Sequence, residues 1–522
     1  MDSTKKKDVM PLIPKLCYGV GHFMNDLCAS MWFSYILLFY VSVLRFGDMS
    51  AGYIMLVGQI ADGLSTPIVG IMADKQNKIP ICARYGRRKT IHLIGTILVM
   101  ISFPFIFNEC LGCSESSEGV RFAFHAVFVV IFQFAWACVQ VSHLALIPAL
   151  ATRKTQRTEL NSIRYAFMVL ANMLVFVITF IFLGVDAFED KEDTNSTTIA
   201  PSTTTELPTT ALRVVDDYQK MGSIGPEQLD SFRNVALTCI GIGSIFSLIF
   251  HVGTKEPQFC QSQDSDEEDK SSQCRKVTRI RKRDWFKMTT FYQVGAMYTA
   301  TRLYVNLYMT YIPLLVDNTL QMDVIFVAVV PMIMHFSSFL GSFVMKPINR
   351  IIGRKRTFSL GCCVGLAACI WIGVGGESGY FKVWGVYPVA VLLGIGGSVL
   401  LITSLSITAD LIGENSEGGA FVYGFMSLLD KVSNGIVIMV IQKLDNGESM
   451  YYREVLAFAC GVPCIFGVCV TLTMYNSRVG ARDRGQTVAE ITEEKDPEIT
   501  DDAEKHRSGS MDNPAFESDG HI

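Results

Sequence analysis

The sequence predicts an all-α integral membrane protein, with twelve transmembrane helices in two six-helix halves and both termini cytoplasmic. Three observations predict it. Of 522 residues, 50% are hydrophobic and only 18% charged, with a mean hydropathy of +0.33, against about 25% charged in ordinary soluble domains. Long apolar runs recur from end to end, each near the roughly 20 residues that cross a bilayer as a helix. Basic residues gather in alternate connections, as oriented loops require. This composition excludes a soluble enzyme and a disordered chain, and no free-standing basic domain offers itself to nucleic acid. A β-barrel is excluded because the runs are too long and do not alternate; a helix is then the structure that satisfies its own backbone in lipid.

The first half reads as spans 16–44, 51–73, 90–108, 120–148, 162–185 and 232–252. The second reads as 288–316, 322–344, 357–375, 383–409, 419–442 and 453–475. Around them the chain divides into a cytoplasmic N-terminus (1–15), the first half (16–252), a linker (253–287), the second half (288–475) and an acidic tail (476–522). Lys5, Lys6, Lys7 and Lys15 precede span one, and Lys75, Lys78, Arg84, Arg87, Arg88 and Lys89 follow span two. Arg153, Lys154 and Arg157 follow span four, Lys276 to Arg283 follow span six, and Lys346 to Arg356 follow span eight. All of these fall on one side, which the positive-inside rule makes cytoplasmic. Lys5 to Lys7 resemble the charged start of a signal peptide, but the apolar stretch after them is too long for a cleaved one.

The net charge of −4 hides a segregation. Residues 485–522 hold eleven acidic and three basic residues, and 186–231 hold ten acidic and three basic. The 186–231 loop falls on the non-cytoplasmic side and carries the sequon Asn195-Ser196-Thr197, a glycosylation acceptor in that setting. Fifteen cysteines do not make a disulfide framework, because most lie inside apolar runs where a thiol is a small hydrophobe. Cys110 and Cys113 differ: they share a non-cytoplasmic loop at C-x-x-C spacing, where a disulfide or a reduced pair are both open. Zinc would need two further ligands and none stands nearby, so no metal is expected. No phosphate-binding loop, nucleophile elbow or dinucleotide fingerprint stands in a supporting context. The expectation is therefore a non-enzyme without cofactor, not driven by ATP.

An internal repeat is written into the loops. Gly86-Arg87-Arg88-Lys89-Thr90 follows span two, and Gly353-Arg354-Lys355-Arg356-Thr357 follows span eight. Parallel six-helix repeats are a transporter architecture, with substrate held near the midplane between halves. Ionisable residues at membrane depth are costly and point to function. Asp26 stands a third of the way into span one. Asp62 stands in span two, just before breakers Gly63 and Pro67 that free backbone carbonyls. Arg164 opens span five as a substrate contact or an interfacial anchor. Arg302 is midway through span seven, with Asn306 one turn on, on the same face. Asp430 and Lys431 in span eleven point about 100° apart, so they are not expected to pair with each other. His143, near the basic end of span four, reads either as a proton relay or as a satisfied interfacial histidine. Asp410 and Glu414 edge the loop after span ten.

Gly58-Gln59-Ile60-Ala61-Asp62-Gly63-Leu64-Ser65-Thr66-Pro67, followed by Asp74-Lys75 and Tyr85-Gly86-Arg87-Arg88-Lys89, resembles the melibiose-carrier-like sugar:cation symporter branch of the major facilitator superfamily. The resemblance implies a cation-site aspartate at Asp62, a sugar-site aspartate at Asp26, the span-five arginine at Arg164 and the span-eleven lysine at Lys431. A second cation-site aspartate is replaced by Thr66, which argues against sodium and leaves protons. A sugar-binding aspartate falls near Gln140, which puts sugar in doubt. Asp74, Arg87, Arg88 and Arg354 are implied as gate contacts. Three further blocks, Gly21 to Phe33, Ser102 to Cys113 and Thr408 to Gly424, resemble a narrower pigmentation-associated group within the superfamily. That resemblance implies cysteine import into lysosomes and melanosomes rather than a plasma-membrane role. Cysteine, protons and membrane lipid are then the expected partners. A cation-coupled sugar or lipid transporter, and a non-transporting scaffold using the acidic tail, are the alternatives.

Overall fold

The computed structural model describes residues 10–74, 85–151, 154–196, 224–256, 282–375, 380–412 and 416–474. The N-terminal lysines, most of the linker and of the 186–231 loop, and the acidic tail lie outside the described residues. Among the described residues there are twelve long helices. The first half holds α1 (Leu12–Val43), α2 (Asp48–Asp74), α3 (Arg87–Ile106), α4 (Glu118–Leu150), α5 (Lys154–Ser196) and α6 (Leu229–Gly253). The second holds α7 (Thr289–Leu314), α8 (Phe326–Ile352), α9 (Arg354–Gly375), α10 (Val386–Ile412), α11 (Ser416–Leu444) and α12 (Tyr451–Thr473, with a wider turn at Val455–Ala459).

Eleven of these are both long and apolar enough to cross a membrane. The exception, α7, is 26 residues long but carries Arg302, Asn306 and a run of threonines and tyrosines, so its polarity hides its span. α5 runs on to Ser196, well past the predicted end at 185, because no proline or further glycine follows Gly184 to stop it. The first residues of the acidic loop, through the start of its sequon, are thus a helical extension.

The repeat is deeper than its sequence signature. Gly86 and Gly353 both sit at positive φ, +103° and +84°, a region open to glycine at little cost. In each case the carbonyl accepts both the backbone N–H and the hydroxyl of the threonine four residues on, Thr90 at 2.9 and 2.7 Å and Thr357 at 3.0 and 3.0 Å. A second matching pair is silent in the sequence. α1 ends in a wide π-type turn at Phe39–Val43 and α7 in another at Leu315–Thr319. Each is followed by a non-glycine residue at positive φ, Arg45 (52°) and Gln321 (47°). The closing bonds correspond too: Leu44 N to Phe39 O and Phe46 N to Tyr40 O, against Leu320 N to Leu315 O and Met322 N to Val316 O. Backbone of this kind is sparsely populated and persists where surroundings over-determine it.

The halves meet along three helix pairs: α1 with α7, α2 with α11, and α5 with α8. The α2–α11 seam is closest because small residues remove the side chains that would hold it apart. A Cβ on Gly435 would stand 2.9 Å from Leu56 Cδ1 and 3.3 Å from Leu56 Cα, and one on Gly52 would stand 3.2 Å from Met439 Cα. Gly435→Leu is therefore expected to cost about 1–3 kcal/mol of overpacking and to lower the thermal unfolding midpoint in detergent, with Gly435→Ala milder.

Candidate substrate and coupling site

The close α2–α11 seam brings the central charges together. Lys431 Nζ lies 2.5 Å from Asp62 Oδ2 and donates to Thr66 Oγ1 at 3.3 Å. Thr66 in turn donates to the Asp62 carbonyl at 3.0 Å and approaches Oδ1 at 3.4 Å. The side chains of Lys431 and Asp62 are 12% and 13% exposed, so the pair is largely out of solvent and joins one half to the other. Asp430, the next residue back, is turned into its own half. There it accepts from Arg302 Nε at 3.1 Å and from Asn434 Nδ2 at 2.6 Å. The expectation that Asp430 and Lys431 face different partners holds: one serves α7 and the other α2. The result is a row of alternating charge, Asp62, Lys431, Asp430, Arg302. The Arg302 side chain keeps 39% exposure and also engages Tyr298, whose ring centre lies 5.8 Å from its guanidinium carbon. Asn306 is buried one turn along the same helix.

Asp26 belongs to a separate polar group in the first half. It is 5% exposed, and its Oδ1 accepts from His22 Nδ1 at 2.8 Å. Its neighbour Asn25 donates to the Trp136 carbonyl at 3.2 Å. Gln140 is held on its own helix, accepting from Trp136 Nε1 at 3.0 Å. Arg164 is half-buried, and its Nε is enclosed without a hydrogen-bond partner.

Of the gate candidates, Arg88 pairs with Glu256 at 3.6 Å. Arg354 pairs with Asp410 and donates to the Ser406 carbonyl at 3.0 Å. Arg87 is engaged as well, and the Asp74 side chain lies outside the described residues. Both described pairs lie within a half, each clamping the start of a helix (α3, α9) to the end of another (α6, α10), rather than bridging the halves. Sequence reasoning missed the partner Glu256 and also Glu159, which holds Lys15 at 2.7 Å. It also missed Asp317, at the end away from the basic loops. This carboxylate is 1% exposed and accepts from Ile224 N at 2.6 Å and Ser42 Oγ at 3.4 Å, tying the end of α7 to the first half. Its lone position after an apolar run was the available signal. Cys110 and Cys113 are bonded in a tight turn, their Cα atoms 5.2 Å apart. Asn195 sits in the last helical turn of α5.

A family model described as MFS/sugar transport protein matches residues 17–476. The chain belongs to that family. Among its relatives is Major facilitator superfamily domain-containing protein 12 of Homo sapiens, 39% identical, with 91% of this chain and 96% of the relative covered. The protein of that name from Equus caballus is 42% identical over 83% and 85%. An uncharacterized symporter of Synechocystis, sll1374, is 21% identical over 84% and 86%. Among solved structures, the nucleoside transporter NupG superposes with a TM-score of 0.57 at 13% identity, covering 89% of this chain and all of that one. The inward-open xylose transporter XylE from E. coli gives 0.55 at 12%, covering 89% and 94%. These two show the fold alone. The chain is thus a multi-pass secondary transporter of symporter type with the two-half major facilitator fold.

Two outcomes follow. Lys431→Met alone leaves Asp62 as an uncompensated buried charge and is expected to cost about 3–5 kcal/mol. Adding Asp62→Asn should recover most of the loss, read as thermal stability of the purified single and double variants. Asp317→Ala leaves the buried Ile224 N–H unpaired, at about 1–3 kcal/mol. It should speed thiol labelling of a cysteine placed at Ser42 by roughly tenfold.

Proposed function

We propose that this transporter imports cysteine from the cytosol into lysosomes and melanosomes by alternating access, coupled to protons. The carrying observation is the Lys431–Asp62 pair on Thr66. In the symporter branch that the sequence resembles, this position holds a cation between acidic residues; here Thr66 replaces the second acid, and Lys431 Nζ lies against the one that remains. One carboxylate is a poor set of ligands for a metal cation, whereas a proton needs only that carboxylate.

The same pair suits a zwitterion. The substrate ammonium takes Asp62 while its carboxylate takes Lys431, so the buried pair opens into two new pairs with no unpaired charge left behind. Arg302, two places along the charge row from Lys431, is a second carboxylate contact, and Arg164 a third. Asp26 is the alternative ammonium contact, and Asn306, Thr66 and Gln140 supply neutral polar lining. A proton on Asp62 frees Lys431 for the substrate carboxylate and leaves Asp26 to take the ammonium, which couples proton and substrate binding in the same direction. Rocking of the halves works around this point, with Asp317 closing the lumenal end. Arg88–Glu256 and Arg354–Asp410 stiffen each half at the cytoplasmic end, beside Arg87 and Asp74. This orientation places the basic loops and both termini in the cytosol, and Asn195 in the lumen where glycosylation occurs.

Uptake of labelled L-cysteine into proteoliposomes under an imposed pH gradient tests this reading. Wild type should respond to the gradient, and Asp62→Asn should be at least tenfold slower and indifferent to pH. Unchanged uptake by that variant removes Asp62 from the mechanism. Uptake of a sugar or a lysophospholipid in place of cysteine replaces the substrate. Deletion of 485–522 should leave uptake intact; a scaffold would lose its function.

A further inference from the structure

Four of the eight histidines converge inside the first half, one from each of α1, α3, α4 and α6, and nothing in the central charge row uses them. His92 and His143 are 0% exposed and His22 is 3% exposed. The bonds assign their tautomers. His92 Nε2 faces the Gly21 carbonyl at 2.9 Å, an acceptor only, so this nitrogen carries the proton and Nδ1 accepts. His251 Nε2, 3.1 Å from His92 Nδ1, must then donate, which leaves His251 Nδ1 to accept from the Tyr85 hydroxyl at 2.7 Å. Tyr85 to His251 to His92 is therefore a hydrogen-bonded file with every donor pointing inward from the basic end.

The file continues. The His143 ring lies 6.0 Å from that of His92 and 5.9 Å from that of His22, centre to centre. Its Nε2 donates to the Tyr18 carbonyl at 2.8 Å, and its Nδ1 is buried with no partner at all. An unpaired buried acceptor is costly and calls for an explanation. His22 then holds Asp26, while its Nε2 stands 3.5 Å from Asn25 Nδ2. The backbone of α1 admits the cluster because Gly21 has no side chain; a Cβ there would stand 2.7 Å from the His143 ring.

The geometry points to a proton-conducting file, Tyr85–His251–His92–His143–His22, that joins the cytoplasmic end of the first half to Asp26. A proton reaching the Tyr85 oxygen replaces the one that tyrosine passes to His251 Nδ1. His251 gives its Nε2 proton to His92 Nδ1, and one positive charge then rests on His92. Its next acceptor is the free Nδ1 of His143, and then His22 Nε2, across gaps that a ring rotation or a bridging water closes. His22 finally yields its Nδ1 proton to Asp26 Oδ1. One N–H or O–H bond forms for each that breaks, and nothing is oxidised.

The surroundings set the pH response. Lys89, whose Nζ donates to the His251 carbonyl at 3.0 Å and lies 4.3 Å from the Tyr85 ring centre, opposes a charged file, as does the Arg164 charge near His22 and His143. Glu256 at the entry, bonded to Lys89 N at 3.1 Å, and Asp26 at the end favour it. Tyr18, stacked on His143 at 4.3 Å, and Thr96, beside His92 at 3.4 Å, are the neutral polar neighbours.

This rests on the proton coupling proposed above, and the test separates the two. Full-length wild type, His251→Gln and His92→Gln are placed in proteoliposomes holding a pH-sensitive dye. Proton entry on adding L-cysteine is compared with labelled cysteine exchange at equal pH, which needs no net proton movement. Glutamine at 251 can still accept from Tyr85 and donate to His92, but it cannot carry a proton. The expected result is at least a tenfold loss of proton entry in both variants with exchange retained, and a smaller loss for Tyr85→Phe. Full proton entry in His251→Gln overturns the file while leaving coupling intact. Equal losses of proton entry and exchange in both variants assign the histidines to packing and overturn it. Wild type without proton entry overturns coupling and file together.

Discussion

A charge inside an apolar slab must find a counter-charge or be expelled, and this chain has few charges to place. That constraint organises the molecule. Lys431 and Asp62 come from opposite halves and neutralise each other at 2.5 Å, so the interface between the halves is held by an ion pair rather than by grease alone. Everything near it follows. Gly435 and Gly52 thin the seam until the pair can meet. Asp430 is turned away to neutralise Arg302, so that adjacent residues of one helix serve two helices. A structural pair of this kind is a natural switch, because a proton or a zwitterion can take over either side without leaving a bare charge.

The two halves are built alike where backbone is concerned and differently where chemistry is concerned. The paired π-type turns, the paired positive-φ residues after them and the paired glycine–threonine caps are one design used twice. Side chains then break the symmetry. Val41 lies in the π turn of α1 at the place where the turn of α7 carries Asp317, so one half supplies the carboxylate and the other the donors Ser42 and Ile224. The four clustered histidines are likewise in the first half, while the second carries Arg302, Asp430 and Lys431. A repeated scaffold thus carries unequal contents in its two halves.

Membrane class, helix count and the order of the halves were legible in the sequence, because hydropathy and basic loops act over many residues at once. Asp62, Thr66, Arg302 and Lys431 were legible as candidates because ionisable or breaking residues stand out in apolar runs. Their partners were not, since Asp62 and Lys431 are hundreds of positions apart and only packing of α2 on α11 makes them neighbours. His92 and His251 passed unnoticed for a similar reason: each is unremarkable on its own helix, and only four helices together make a file. Asp317 and Glu256 lie where a helix ends, where a carboxylate reads as ordinary solvation until burial shows otherwise.

By itself, then, the sequence determined that this chain lives in a membrane as two sixfold helical halves, and which few ionisable residues lie inside its spans. Those properties depend on transfer energies that each residue carries with it. Tertiary structure alone decided which charge neutralises which, that the arginines of the repeated loops clamp within halves, and that scattered histidines stand in line. Those are properties of distance, and distance between helices is set by which side chains are small enough to let them close.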